Sequence, residues 1–143
     1  MDNIEYAIKS LVEQSYRFNY DFDYDNMDES ASFFQMAHSI MADSQKEEVA
    51  VSIAVSVMCR DSELARQETR ATFAVRPFAK VVRAVTNGGI TISQPDLMDT
   101  FISIVIGAAR GMLAKNLKGT PIEGHVLPLI PMAEIRRVAT AKG

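Results

Sequence analysis

The sequence predicts an α+β fold: a four-stranded antiparallel sheet with one long helix and a shorter C-terminal element packed on one face, in a single domain over residues 1–143. Three observations carry this. Apolar and polar residues alternate with period two through the first half. Short polar breaks separate the alternating runs. Beyond Pro95 the pattern changes to helical spacing over a long stretch almost free of charge.

After an initial segment at 4–12, aromatic rings occupy every even position from Tyr16 to Tyr24, with Arg17, Asn19, Asp21 and Asp23 between them. Read as a strand, this puts the rings on one face and the polar residues on the other. Seven of the eleven aromatic residues fall between Tyr16 and Phe34. Such a concentration serves either the packing of an edge hairpin or a binding surface. Asp25-Asn26-Met27-Asp28-Glu29-Ser30 has the composition of a turn. A second strand follows, with Phe34, Met36, His38 and Ile40 sharing a face, and it breaks at Ser44-Gln45-Lys46. In the third, bulky Val49, Val51, Ile53, Val55 and Val57 alternate with small Ala50, Ser52, Ala54 and Ser56. Arg60-Asp61-Ser62 turns the chain, and residues 69–75 read as a fourth strand, although 63–70 would also start a helix. Short turns between successive strands imply a meander. Residues 77–92 are ambiguous, with a turn at Asn87-Gly88-Gly89.

Ser93-Gln94-Pro95-Asp96 suits a helix start, and Lys115, Lys118 and Gly119 suit its end. The helix between them has about 22 residues and a length on the order of 33 Å. Leu97, Phe101, Ile104, Val105, Ala108, Met112 and Leu113 form one apolar stripe. Met98, Ile102, Ile106 and Ala109 form a second, with Gly107 and Gly111 spaced for close approach. A single sheet covers only one stripe, so Met98, Ile102, Ile106, Gly107, Ala109 and Gly111 are expected at an interface between copies of the chain. The alternative is a helix roofed by the Pro-rich tail.

Net charge is only -3, but eleven acids face three bases before residue 49, and seven face twelve after it. Arg60, Arg66, Arg70, Arg76, Lys80 and Arg83 follow no nucleic-acid motif, and the arginines read as a solvated strand face. No nucleic-acid partner is expected. The N-terminus lacks a signal-peptide pattern, no stretch reaches the ~20 apolar residues of a membrane span, and the lone Cys59 fits a reducing compartment, so a cytoplasmic location is expected. His38 alternates with apolar residues and reads as a core histidine, while His125 lies in a loop. Their spacing with Cys59 suits no metal, the acids from Asp21 to Glu29 lack the order of a calcium loop, and Gly88-Gly89 belongs to no phosphate fingerprint. No catalytic site, metal or cofactor is expected.

Asp96-Leu97-Met98-Asp99-Thr100-Phe101, Ala108-Ala109-Arg110-Gly111-Met112-Leu113-Ala114, Gly119-Thr120-Pro121 and Val126-Leu127-Pro128-Leu129-Ile130-Pro131-Met132 together resemble the C-terminal half of SecB-like export chaperones. Ser15-Tyr16-Arg17-Phe18 resembles that family's first strand, and residues 49–57 its central one. The resemblance covers most of the chain and rests on pattern and order more than on invariant residues. It implies the sheet and helix already described, assembled as a dimer of dimers with the long helix at the interfaces. It also implies an ATP-independent holdase that keeps unfolded or unstable polypeptides in apolar grooves, for protein export through SecA or for protection of an antitoxin. The residues here that would supply the groove are Tyr20, Phe22, Tyr24, Met27, Phe33, Phe34 and Met36. Where the export chaperone carries acids beside its Ser-Phe pair, this chain has Ser15 and Asn19, and it ends without that family's longer tail, so client holding transfers better than SecA docking. A different reading is a dedicated adaptor that binds one basic partner through Asp21, Asp23, Asp25, Asp28 and Glu29.

Overall fold

A computed structural model of the chain describes residues 4–84, 90–93 and 95–130. Four strands, β1 (Glu5–Phe18), β2 (Ser32–Asp43), β3 (Glu48–Cys59) and β4 (Ser62–Arg76), make one antiparallel sheet. They are followed by a short helix α1 (Phe78–Val81), a small hairpin of β5 (Val82–Ala84) and β6 (Ile90–Ile92), and the long helix α2 (Pro95–Asn116). The predicted turn at Asn87-Gly88-Gly89 and the tail from Pro131 onward lie outside the described residues.

The sheet order is β1-β4-β3-β2, a Greek key and not the expected meander. Tight turns join β2 to β3 and β3 to β4, with Asp43 opposite Glu48 and Cys59 opposite Ser62. β1 instead lies along β4, from Glu5 opposite Arg76 to Phe18 opposite Ala65. β1 and β2 are therefore the two edges, and residues 19–31 cross from one to the other. β4 starts at Ser62, seven residues before the sequence pattern suggests and with no helix over 63–70. Pairing on both sides overrides the helix-forming residues there.

The alternation in β3 works as read. Val49, Val51, Ile53, Val55 and Val57 are fully buried beneath α2, beside Ala65, Ala71, Phe73 and Val75 of β4. The small residues of β3 face the other way, opposite Arg66, Glu68, Arg70 and Thr72 of β4. Ala50, Ala54 and Ser56 are buried even there, because long neighbouring side chains shelter them, and Ser56 Oγ donates to Glu63 Oε2 at 3.2 Å.

α2 is held by apolar packing and one polar bridge. Phe101 stacks on Phe73 with ring centroids 4.0 Å apart, and Tyr6 meets Phe101 edge-on at 5.8 Å. Fully buried Gln67 donates from Nε2 to Ala109 O at 3.0 Å and to Thr69 Oγ1 at 3.2 Å, while its Oε1 accepts from Asn116 Nδ2 at 2.8 Å. Asn116 also bonds Glu13, and its carbonyl accepts from Tyr16 of β1. By length and composition α2 is apolar enough to cross a membrane, which corrects the expectation that no stretch is. In the fold 39% of that stretch is buried, and Leu97, Phe101, Ile102, Val105, Ile106, Ala109 and Leu113 pack into the core.

Candidate functional site

β1 leaves the sheet at Phe18, and Asn19 is the pivot. Its backbone N–H donates to Leu64 O at 2.8 Å, and its Nδ2 donates to Glu63 O at 3.1 Å. Its Oδ1 accepts from the Asp21 N–H at 2.9 Å, a local turn bond that competes with continued strand pairing. The expected strand over 16–24 therefore stops partway, and the even-numbered rings beyond it do not line one sheet face. They curl into a cluster. Phe18 lies 5.0 Å from Tyr20 and 5.6 Å from Tyr24, and Phe22 meets Tyr24 at 5.1 Å. The Tyr24 hydroxyl donates back to Asn19 O, closing the loop on itself.

Exposure within the loop is graded. Tyr20 is 83% exposed, whereas Phe22, Tyr24 and Met27 are half-buried against the core. Phe34 and Met36 are half-buried on the helix side of β2, in register with Val57 and Val55. Phe33 pairs with Met58 and projects from the opposite face, so the pleat separates it from Phe34 and Met36 and from the core on which Phe22, Tyr24 and Met27 rest.

The far end of the loop is tied to the β3–β4 hairpin. Asp28 Oδ1 accepts from Ser30 N–H at 3.1 Å and from Ser30 Oγ at 2.6 Å, and Arg60 Nη2 reaches Asp28 Oδ2 at 3.2 Å. The Ser30 bonds, and then Arg60, hold the Asp28 carboxyl below its usual range. Burial pushes the Tyr16 and Tyr24 hydroxyls up; Tyr20 and Glu13 add to this at Tyr16, and Tyr16 does so at Tyr24. Asp21, Asp23, Asp25, Asp28 and Glu29 are all exposed. Among the described residues no three His, Cys, Asp or Glu side chains are grouped to hold a metal.

The residues named for a subunit interface divide. Ile102, Ile106 and Ala109 are buried within the protomer, Met98 is half-buried, and Gly107 and Gly111 are exposed with open space where a side chain would stand. The buried arc of α2 takes residues from both apolar stripes, and the open arc runs through Ser103, Ile104, Gly107, Gly111 and Ala114. Sequence spacing placed Ile104 in the core, yet it is 41% exposed. One flank of α2 is roofed by the chain itself. Ile122 and Leu127 are buried in the core, Arg110 donates to the carbonyls of Leu127 and Pro128, and His125 Nδ1 donates to Ile122 O at 3.0 Å with Nε2 3.5 Å from Ser32 Oγ. Arg110 and its contacts went unread in the sequence, where an arginine in an apolar helix was the available signal.

Among solved structures, a SecB-like chaperone of Mycobacterium tuberculosis in complex with a ChAD peptide from the HigA1 antitoxin superposes with a TM-score of 0.54. The match covers 88% of this chain and 91% of that one at 9% identity. The fold is SecB-like. A protein of unknown function from Streptococcus agalactiae aligns over 90% of this chain and 100% of its own at 10% identity, with a TM-score of 0.42. No family model matches the sequence, and no curated protein does.

Proposed function

We propose that this protein is a non-enzymatic, ATP-independent holdase that keeps unfolded or unstable polypeptides in an apolar groove. The observation that carries the reading is the crossover loop. It holds Tyr20 open to solvent and Phe22, Tyr24 and Met27 half-open, and Phe34 and Met36 are half-open on β2, the edge strand into which the loop runs. Clustered rings and thioethers that remain partly exposed give adaptable apolar contact without a fixed sequence preference. The chaperone of like fold from M. tuberculosis was solved with an antitoxin peptide, which supports a polypeptide client here. In this reading the single domain works in the cytoplasm as a dimer of dimers. Clients reach it for export through SecA or for antitoxin protection, and the open arc of α2, with Ile104, Gly107 and Gly111, supplies the contact between copies.

The test is light scattering of a denatured, aggregation-prone protein diluted with and without this protein, whose mass is first fixed by size exclusion with static scattering. Suppression near stoichiometric ratios is expected. Replacing Phe22 and Tyr24 by Ser should weaken client binding about tenfold and leave the oligomer intact. No suppression by the native oligomer would overturn the holdase. A second reading, the dedicated adaptor, is favoured by the outward orientation of all five loop acids. It requires binding to one basic partner that weakens steeply between low and physiological salt, with no effect on unrelated unfolded chains.

A further inference from the structure

Beyond α2 the chain turns back on the helix. Backbone bonds at Thr120, Glu123 and His125 close successive turns, and residues 126–130 follow without helix or strand structure. This stretch, Val126-Leu127-Pro128-Leu129-Ile130, is apolar throughout, yet only Leu127 is buried, at 2% exposure. Val126 is 55% exposed and Leu129 is 87% exposed. Ile130 is half-buried against the core, and the main chain between it and Leu127 is held by a guanidinium. Arg110 Nε donates to Leu127 O at 2.7 Å and Nη2 donates to Pro128 O at 2.8 Å, two successive main-chain carbonyls taken by one planar fork. No carboxylate among the described residues pairs with Arg110.

A fork on two carbonyls reads backbone and ignores side chains. It also demands that the carbonyls be free, which those of helices and sheets are not. One apolar anchor with main-chain hydrogen bonds is the way an irregular peptide is gripped with loose sequence preference. We propose that residues 126–130 are an internal ligand occupying a client subsite, and that Arg110 grips the main chain of an extended apolar peptide when the strap is displaced. This rests on the holdase reading and names the chemistry of one of its subsites. The exchange conserves interactions: the incoming peptide brings two carbonyls and apolar side chains for the places of Leu127 and Ile130, so the half-buried guanidinium is not left unpaired. The strap is also inexpensive to open. Among the described residues it has no ladder to break, and its attachments are Leu127, the half-buried Ile130, the Arg110 pair and the His125 contacts.

The experiment is a titration of the isotope-labelled native chain with a synthetic peptide of residues 124–131, and with an unrelated peptide carrying one Leu among polar residues. Both peptides should move the Leu127 methyl signals to exposed values and shift the Arg110 Nε–H signal, which stays protected from exchange because it re-bonds. By fluorescence anisotropy, Leu127→Ser should bind both peptides about tenfold more tightly than the native chain, since the competing ligand is gone. Arg110→Leu also frees the strap but should bind them at least fivefold more weakly than Leu127→Ser. Binding that leaves the Leu127 and Arg110 signals unmoved would overturn the strap and leave the holdase reading standing. Strap displacement in a chain that suppresses no aggregation would support the subsite and sink the holdase. No binding by the native chain or by Leu127→Ser would overturn both.

Discussion

Gln67 offers the sharpest test of how α2 is positioned. It is a fully buried amide on β4 that meets the helix at Ala109 and again at Asn116, seven residues further along the chain. Seven residues are about two turns, so both contacts lie on one helix face, and the single side chain fixes the helix both along its axis and in rotation. Gln67→Met keeps length and approximate volume and removes the three hydrogen bonds. At about 0.5–1.5 kcal/mol each, and with Asn116 retaining Glu13, the expected loss is about 2–3 kcal/mol. Gln67→Ala adds the void left by the missing atoms, for about 1–2 kcal/mol more. Urea unfolding followed by circular dichroism measures both, and the double variant with Asn116→Leu should show a coupling of about 1 kcal/mol. A Gln67→Met variant within 0.5 kcal/mol of the native chain would refute the reasoning. The bonds would then do no more than offset the amide's lost hydration, and apolar packing alone would place the helix.

Glu47 adopts φ 56° in the β2–β3 turn, a conformation costly for a side chain, so Glu47→Gly should stabilise the fold by about 0.5–1 kcal/mol in the same urea assay. The carboxyl of Asp28 is held low in the folded state, so its contribution to loop anchoring is complete above the usual carboxylate range and is lost as pH falls through the depressed value. In carboxyl-carbon NMR titrations Ser30→Ala should raise the Asp28 midpoint more than Arg60→Ala does, because it removes the Ser30 hydroxyl bond, the largest cause, while the backbone N–H of residue 30 still donates. Tyr16 and Tyr24 titrate high, so their contribution is intact below the ordinary tyrosine value near ~10 and fades as pH rises through the folded ones. Tyr20→Phe should lower the Tyr16 midpoint in a tyrosinate absorbance titration and leave Tyr24 in place.

Legibility in the sequence followed how local each determinant was. β3 could be read because Val49 to Val57 have one bulky and one small face, a contrast that neighbouring strands do not blur. α2 could be read from its length and caps. The face it buries could not, because two apolar stripes leave the choice to the shape of the sheet beneath, and Ile102 and Ile106 won over Ile104. β1 hides its alternation behind register shifts between Ile8 and Ser10 and between Glu13 and Ser15, each of which moves the following residues to the other face. Period two continues past Phe18 into a loop, and only the turn bond of Asn19 separates strand from loop. The strand order depends on β1 finding β4 across most of the sheet's sequence, which no local pattern encodes.

Because β1 and β2 are opposite edges, residues 19–31 must traverse the end of the sheet, about 14 Å at strand spacings of about 4.8 Å. Four or five residues at about 3.3 Å each would reach. The chain supplies roughly a dozen, and the surplus is where the rings fold together. Lengthening such a connection is cheap, since doubling a flexible loop costs only about 0.6 kcal/mol. The loop's length is thus set apart from the strand register: Phe22, Tyr24 and Met27 rest on the core and Asp28 is tied to Arg60, while the residues between these anchors can lengthen or change without altering a single pair in the sheet.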